Sequence, residues 1–543
     1  MAGETPIKAD NAVILAAGTG TRLVPLSFDK PKGLLSVKGE ILIERQIRQL
    51  KEAGISDIIV VVGYLKEQFS YLTDKYGIKL AENKDYRSTG SAASLAWAKF
   101  ALKNTFVVYA HHYFRENVFK NAVYNSHYPA QRLVGYGPES AFTAAENGRI
   151  TGIEPCRCDE PALVGPLFIT KDFSEKLKNI FAGYGETQAI PDSVEELLAK
   201  NLDSLELYTK EYDGQPVNIL NTIEDVRAFD PDYYQQNNSP VIANIIRIFN
   251  CSEKEIGGFE KLHIGNTNSN FFFEIKGKRY IYRHPGAGTE VIINRRCEAY
   301  AETQAKKRGF DKTVVFVHPE EGWKIAHCVE GCWNLSCASE EDIIQAMGFL
   351  KKLHEAKIPC EWEFSPIKNA QAHIDYMTEH GIRTDFSEFS ELKEKILRLY
   401  EYTEWDGYEK VLCHNDTWYM NFLRNGKLFQ MIDWEYAGRN DPTSDVATFS
   451  FTYERIFDKE RYAWLCETYA GRPLKPEELR HFEAYRAIIS YYWMIWAVWQ
   501  EAQGVDAAKY TELIALRKET TEEYLAIALP KYEAETQLLL NIK

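Results

Sequence analysis

The 543-residue chain lacks any apolar run approaching the ~20 residues needed to cross a bilayer. Its opening segment, Met1 to Gly18, has neither the basic start nor the long apolar stretch of a secretory signal. A cytoplasmic location without membrane insertion is therefore expected. Positive charge is in short supply: 64 Lys and Arg stand against 78 Asp and Glu, a formal net charge of −14. That balance excludes a general affinity for nucleic acid or anionic membrane, but allows local cationic sites for nucleotide phosphates. The ten cysteines are scattered, and Cys328, Cys332 and Cys337 lack zinc-type CxxC pairing. Buried free thiols in a reducing compartment are the expectation. Internal repeats and low-complexity tracts are also missing.

What is present suits a folded enzyme of more than one domain. The apolar fraction is 45% and the chain is too long for one ordinary core. Between residues 11 and 110, short apolar strands alternate with amphipathic helices: strand Ala12–Ala16, helix Ile41–Ala53, strand Ile58–Val62, helix Leu65–Tyr76, strand Phe106–Ala110. This rhythm predicts an α/β, Rossmann-like domain with a mostly parallel sheet covered on both faces. The polar stretch from Phe229 to Pro240 breaks it. The expected layout is a first domain over 1–230, a linker over 231–240 and a second domain over 241–543. The second begins with strand signals at Phe271–Ile275 and Tyr280–Tyr282 and a helix over about 293–307. It then turns mostly helical, with a Trp- and Tyr-rich helix near 484–502. A small β-rich lobe before a large helical lobe is the α+β, bilobal plan of protein-kinase-like folds.

The first strand runs into Leu15-Ala16-Ala17-Gly18-Thr19-Gly20-Thr21-Arg22, followed by Pro31-Lys32-Gly33. Glycines here let backbone N–H groups approach phosphate, and Arg22 and Lys32 can neutralise a triphosphate. With Ile59–Phe69 and Ala81–Tyr86, these segments resemble the sugar-nucleotide pyrophosphorylase type of nucleotidyltransferase, above all the LicC-type CTP:phosphocholine cytidylyltransferases. The resemblance implies that Gly18, Gly20 and Arg22 hold CTP, that Lys32 is catalytic, and that Thr89-Gly90-Ser91 is a second nucleotide-contacting loop with Ser91 at the cofactor. The family places an Mg²⁺-binding aspartate just after the third strand, where this chain has His111. The second metal position is Asn221. No carboxylate stands at either place, and Mg²⁺ prefers oxygen ligands to imidazole.

Near residue 420 the chain reads His414-Asn415-Asp416-Thr417-Trp418-Tyr419-Met420-Asn421, then Ile432-Asp433-Trp434-Glu435. Asp416 can orient a hydroxyl acceptor, while Asn421 and Asp433 offer oxygen to Mg²⁺. Such spacing serves phosphoryl transfer, where positioning and charge neutralisation dominate. Upstream, Ile264–Asn270 suits a loop over ATP phosphates, with Asn268 at the nucleotide. Arg283 stands where kinases keep a phosphate-contacting lysine, Glu298 can pair with it, and Ala326–Gly331 has the look of an adenine-contacting hinge. These segments, with Arg283–Glu290 and Ile432–Ala437, resemble the choline/ethanolamine kinase branch of the aminoglycoside-phosphotransferase-like kinases, in particular LicA-type choline kinases. The resemblance implies Asp416 as catalytic base and Asn421 and Asp433 as metal ligands.

Tyr492, Trp493, Trp496 and Trp499 recur at helical spacing, so they share a face. An aromatic stripe is ordinarily core. In this kinase context, with Glu435 and Tyr436 beside the metal aspartate, a choline pocket becomes the better reading, because a quaternary ammonium is held by aromatic faces and carboxylates. The expected partners are ATP, CTP, choline, phosphocholine and Mg²⁺. Two alternatives stay open: a kinase with a regulatory N-terminal domain, and a kinase for another amino alcohol or an aminoglycoside.

Overall fold

The computed structural model describes residues 5–132, 140–155, 160–184, 189–262, 268–286, 289, 292–336, 339–426, 428–451, 457–503 and 507–542. Parts of the expected phosphate loop (264–267), residues 287, 288 and 290, and Cys156, Cys158 and Cys337 lie outside the described residues. Two compact units divide the chain, Met1–Lys261 with Glu274–Lys276, and Leu262–Phe273 with Gly277–Lys543.

The first unit is built on a five-stranded sheet in the order Leu167–Ile169, Thr105–Tyr109, Asn11–Leu15, Ile58–Val62, Lys79–Glu82. The last four are mutually parallel, and Leu167–Ile169 joins antiparallel at one edge. Successive side chains of a strand point to opposite faces, and the strands are apolar on both. Val13, Leu15, Ile59, Val61 and Val107 therefore enter one core, and Ala12, Ile14, Ile58, Val60 and Phe106 enter the other. Burying each such aliphatic side chain is worth about 2 kcal/mol. Every strand of the predicted βαβ rhythm is present within a residue of its expected place. The predicted helix over 65–76 is instead two pieces, a 3-10 turn Lys66–Phe69 and a helix Tyr71–Tyr76, entered from Leu65 at a left-handed φ of 48°.

The polar stretch 229–240 is well tied down. Asn237 accepts from the Ser36 amide at 3.0 Å and donates to the Ser36 carbonyl at 2.8 Å. Asp230 accepts from the Lys38 amide at 2.6 Å, and Gln236 accepts from the Gly39 amide at 2.8 Å. The short helix Tyr233–Asn237 thus clasps the hairpin of Ser36–Val37 and Glu40–Ile41.

The second unit carries an antiparallel sheet that includes Ser269–Ile275, Lys278–His284, Lys324–His327 and Val314–Val317. Helix Arg295–Arg308 packs on its strand Val314–Val317. Asn294 caps that helix by accepting from the Cys297 amide at 3.1 Å, which sets Glu298 in the first turn. The helical remainder packs Glu340–Glu355, Pro366–Glu379, Ser390–Trp405, Thr443–Ser450, Lys459–Ala470, Pro476–Ala502 and Ala507–Ile542 around one large core. A small β-rich part followed by a large helical part agrees with the kinase-like plan. Among the described residues no helix is long and apolar enough to cross a membrane. The described cysteines are all free, but the expectation that they are buried holds only for Cys297, Cys413 and Cys466; Cys251, Cys328, Cys332 and Cys360 are half-buried.

Candidate functional sites

In the first unit, strand Asn11–Leu15 ends at a cavity of about 210 Å³. Gly18, Gly20, Arg22, Lys32, Thr89, Gly90, Ser91, Tyr109 and His111 all line it, so the two motifs separated in sequence meet there. Gly20 has a left-handed φ of 70°, and a Cβ there would lie 2.9 Å from the Ser27 Cβ and 3.1 Å from Lys32 Cγ. Gly33 is constrained by space alone, since its Cβ would lie 2.9 Å from the Ala110 Cβ. Glycine at 33 thus lets the Lys32 turn abut the end of strand Thr105–Tyr109. Burial lowers the Lys32 pKa to about 8, with Arg22 adding to the fall and Asp225 opposing it. Ser91 Oγ accepts from the Val194 amide at 3.0 Å and meets the Tyr109 hydroxyl at 3.2 Å. Tyr109 in turn donates to Glu195 at 3.0 Å, as does Tyr128 at 2.5 Å. The sequence did not point to Glu195, which lies 86 residues beyond Tyr109 on a separate helix.

His111 sits in the turn directly after Tyr109, on the cavity wall. Burial, then Lys32, His112 and Arg22, hold its pKa well below the ordinary value, so the ring is neutral. Asn221 is buried beside it, with the neighbouring Leu220 amide bonded to the His111 carbonyl at 3.3 Å.

In the second unit Asp416, Asn421 and Asp433 converge. Strand Val411–Cys413 delivers Asp416, and the hairpin Phe422–Asn425/Leu428–Met431 returns the chain to Asp433. Asn421 Nδ2 donates to the Asp416 main-chain oxygen at 2.9 Å and to its carboxylate at 3.0 Å. Burial and the carboxylates of Asp433 and Glu435 push the Asp416 pKa up to about 8. Three carboxylates thus crowd one place, and the excess negative charge fits a divalent cation with oxygen ligands. Asp433 holds a left-handed φ of 68°.

Four cationic and acidic side chains behind Asp433 form a ladder. Arg283 pairs with Glu298, donates to the Gly322 carbonyl at 2.8 Å, and lies 3.4 Å from Asp433 and 3.5 Å from Glu435. One turn along the same helix, Glu302 takes Lys324 at 2.7 Å, and Lys324 stands 3.5 Å from the same Asp433 oxygen. Burial tends to raise the Asp433 pKa, but Lys324 and Arg283 outweigh it and keep the group ionised. The sequence reading found Arg283 and Glu298 and missed Lys324 and Glu302. The signal was there: Glu298 and Glu302 are spaced i,i+4, and two acids on one buried helical face require two cations. Arg295 is a further member, bonded to Glu298 at 2.9 Å.

Asn268, expected at the nucleotide, spends its polar atoms within the protein. Its Nδ2 donates to Glu435 at 2.9 Å and its Oδ1 accepts from the Gly286 amide at 3.3 Å. It ties two loops to Glu435, whose pKa burial and Asp433 raise to about 7.

The aromatic stripe is split by the fold. Tyr436, Trp493 and Trp496 form a cluster, with ring centroids 5.5 and 5.3 Å apart and Trp496 Nε1 donating to Tyr436 at 3.0 Å. Tyr492 joins it at 5.1 Å from Trp493 and feels the charges of Asp416 and Glu435. Trp499 is buried against His373 at 5.7 Å, and among the described ring pairs it does not meet that cluster.

Asp445 anchors the loop that carries Asp416. Its carboxylate accepts from the His414 amide at 2.9 Å, the Asn415 amide at 2.6 Å and His354 Nε2 at 2.9 Å. With Cys413 these groups lie close enough to suggest a metal cluster, but the hydrogen bonds already employ both Asp445 oxygens.

Known proteins match each half. The profile of the MobA-like NTP transferase domain matches residues 12–112, and that of the choline/ethanolamine kinase family matches residues 259–514. The choline-phosphate cytidylyltransferase of Streptococcus pneumoniae is 33% identical over 227 residues, 42% of this chain and 99% of that protein. The 2-aminoethylphosphonate cytidylyltransferase of Lancefieldella rimae is 32% identical over 228 residues, 41% of this chain and 93% of that protein. Protein LicA of Haemophilus influenzae is 25% identical over 255 residues, covering 45% of this chain and 94% of its own length.

Proposed function

This chain belongs to the choline-phosphate cytidylyltransferase family by its N-terminal part and is fused to a choline kinase-like domain, and from that premise we propose that it catalyses two consecutive steps on one amino alcohol. We assign residues 1–230 to the nucleotidyltransferase, 241–543 to the kinase and 231–240 to the join. The kinase half transfers the γ-phosphoryl group of ATP to choline. The choline hydroxyl oxygen attacks the γ-phosphorus, its proton passes to the ionised form of Asp416, and the bond to the β,γ-bridging oxygen breaks to release ADP. Asn421 and Asp433 would hold Mg²⁺, which supplies charge neutralisation on the phosphates. Arg283 and Lys324 keep Asp433 ionised and in place. The nucleotidyltransferase half then joins phosphocholine to the cytidylyl group of CTP, giving CDP-choline and pyrophosphate.

The observation that carries the kinase reading is the Tyr436–Trp493–Trp496 cluster beside Asp416 and Glu435. Aromatic faces with nearby carboxylates favour a quaternary ammonium over a polyol. A chain with these two nucleotide-using halves fits a cytoplasmic place, where ATP and CTP are available.

The test is incubation with choline, ATP, CTP and Mg²⁺, followed by separation of phosphocholine from CDP-choline, with 2-aminoethylphosphonate as a competing acceptor. Formation of both choline products in sequence is expected. Phosphocholine without CDP-choline would remove the second step, and a preference for 2-aminoethylphosphonate would reassign its acceptor.

A further inference from the structure

The N-terminal cavity contains no carboxylate among its described lining residues. Its charged members are Arg22 and Lys32, and His111 occupies the turn where the family resemblance implied a metal-binding aspartate. The nearby acids are engaged elsewhere. Asp225 accepts from the amides of Asn221 at 3.0 Å and Thr222 at 2.8 Å, capping helix Ile223–Phe229. Glu195 accepts from Tyr109 and Tyr128. A hard dication in this cavity would face an imidazole and two cations, a set unsuited to Mg²⁺. The donor set fits an anion instead: a guanidinium, an ammonium and a ring N–H converge with the glycine-turn amides.

We propose that this pocket takes the nucleotide triphosphate directly on Arg22, Lys32 and His111, without a divalent ion held by the protein. The inference rests on the nucleotidyltransferase reading of the pocket and says how that pocket handles charge. When the phosphocholine oxygen attacks the α-phosphorus, the bond to the bridging oxygen breaks and pyrophosphate leaves with the electron pair. The charge gathering on that leaving group falls to Lys32 and Arg22.

Calorimetric titration of the full-length chain with CTP, in excess EDTA and again in Mg²⁺, tests this directly. An Asp433→Asn background removes the charged one of the two proposed metal ligands of the kinase half. The dissociation constants in the two conditions should agree within about threefold, and Lys32→Ala should weaken both by about tenfold or more. His111→Asp should create a dependence, binding CTP about tenfold better with Mg²⁺ or Mn²⁺ than in EDTA. Binding in Mg²⁺ that is lost in EDTA by the natural pocket overturns the proposal and leaves the nucleotidyltransferase reading standing. Absence of CTP binding in both conditions overturns the two together. A His111→Asp protein indifferent to metal overturns the role given to His111.

Discussion

Asn421 grips Asp416 twice, through the main-chain oxygen at 2.9 Å and the carboxylate at 3.0 Å, with the same Nδ2. The amide leaves its own oxygen for another partner while fixing the rotamer of the carboxylate proposed to take the proton of the acceptor hydroxyl. Asp416→Asn keeps the shape and loses the base. Its kcat for choline phosphorylation should fall by about 10²–10⁴-fold, with ATP affinity unchanged by equilibrium binding. Retention of more than a tenth of the rate would remove Asp416 from the catalytic role.

Lys324 is expected to act through Asp433 rather than on substrate. Lys324→Met leaves Glu302 buried and unpaired, and should cost about 3 kcal/mol of stability. Adding Glu302→Gln should restore the melting temperature, because both partners are then neutral. The Mg²⁺ concentration for half-maximal rate should nonetheless stay raised, about tenfold, in the double variant. Full recovery of the Mg²⁺ dependence together with stability would reduce Lys324 to a structural role.

Trp496 and Trp499 separate function from core. Trp496→Leu removes a ring from the cluster and the hydrogen bond to Tyr436, so the KM for choline should rise about 2- to 30-fold, the worth of one cation–π contact. Trp499→Leu should lower the melting temperature and leave that KM unaltered. Equal effects of the two on KM would erase the distinction.

His481 sets a pH limit on stability. Its Nδ1 donates to Asp406 at 2.7 Å and its Nε2 to Asp441 at 3.0 Å, so both nitrogens carry protons. Burial disfavours the cation, but the two carboxylates prevail and raise the pKa to about 9. A raised pKa stabilises the fold fully below the unfolded value near 6.5 and less as pH climbs through 9. Between those limits the kinase half should lose up to about 3 kcal/mol, read by denaturant unfolding. His481→Gln should flatten that slope; an unchanged slope would exclude His481 as its source.

Much of this was legible because apolar runs announce buried strands. Asn11–Leu15, Ile58–Val62 and Thr105–Tyr109 stand out, and the residues that follow the first and third form the pocket. The Trp-rich helix was visible from 484, but it begins at Pro476. Its first turns hide because they are buried as charges: Arg480, His481, Glu483 and Arg486 are all inaccessible and paired. Hydropathy cannot register such burial. The same blindness concealed Lys324, a lysine at a strand start that reads as solvated until Glu302 is placed opposite. The stripe from 492 to 499 carried the right residue types, yet helical spacing alone could not tell that Trp499 turns to His373 while Trp496 turns to Tyr436.

The left-handed backbone at Asp433 narrows what any substitution there can report. Only glycine, asparagine and aspartate enter that conformation at low cost. Glutamate would strain the chain as well as misplace the carboxylate, so its failure would teach nothing about chemistry. Asparagine alone keeps both backbone and shape while deleting the charge. The substitution this backbone tolerates best is therefore Asp433→Asn, which deletes the charge and leaves the turn intact: a kinase half lost that way would persist as a well-folded, inert passenger on the nucleotidyltransferase half.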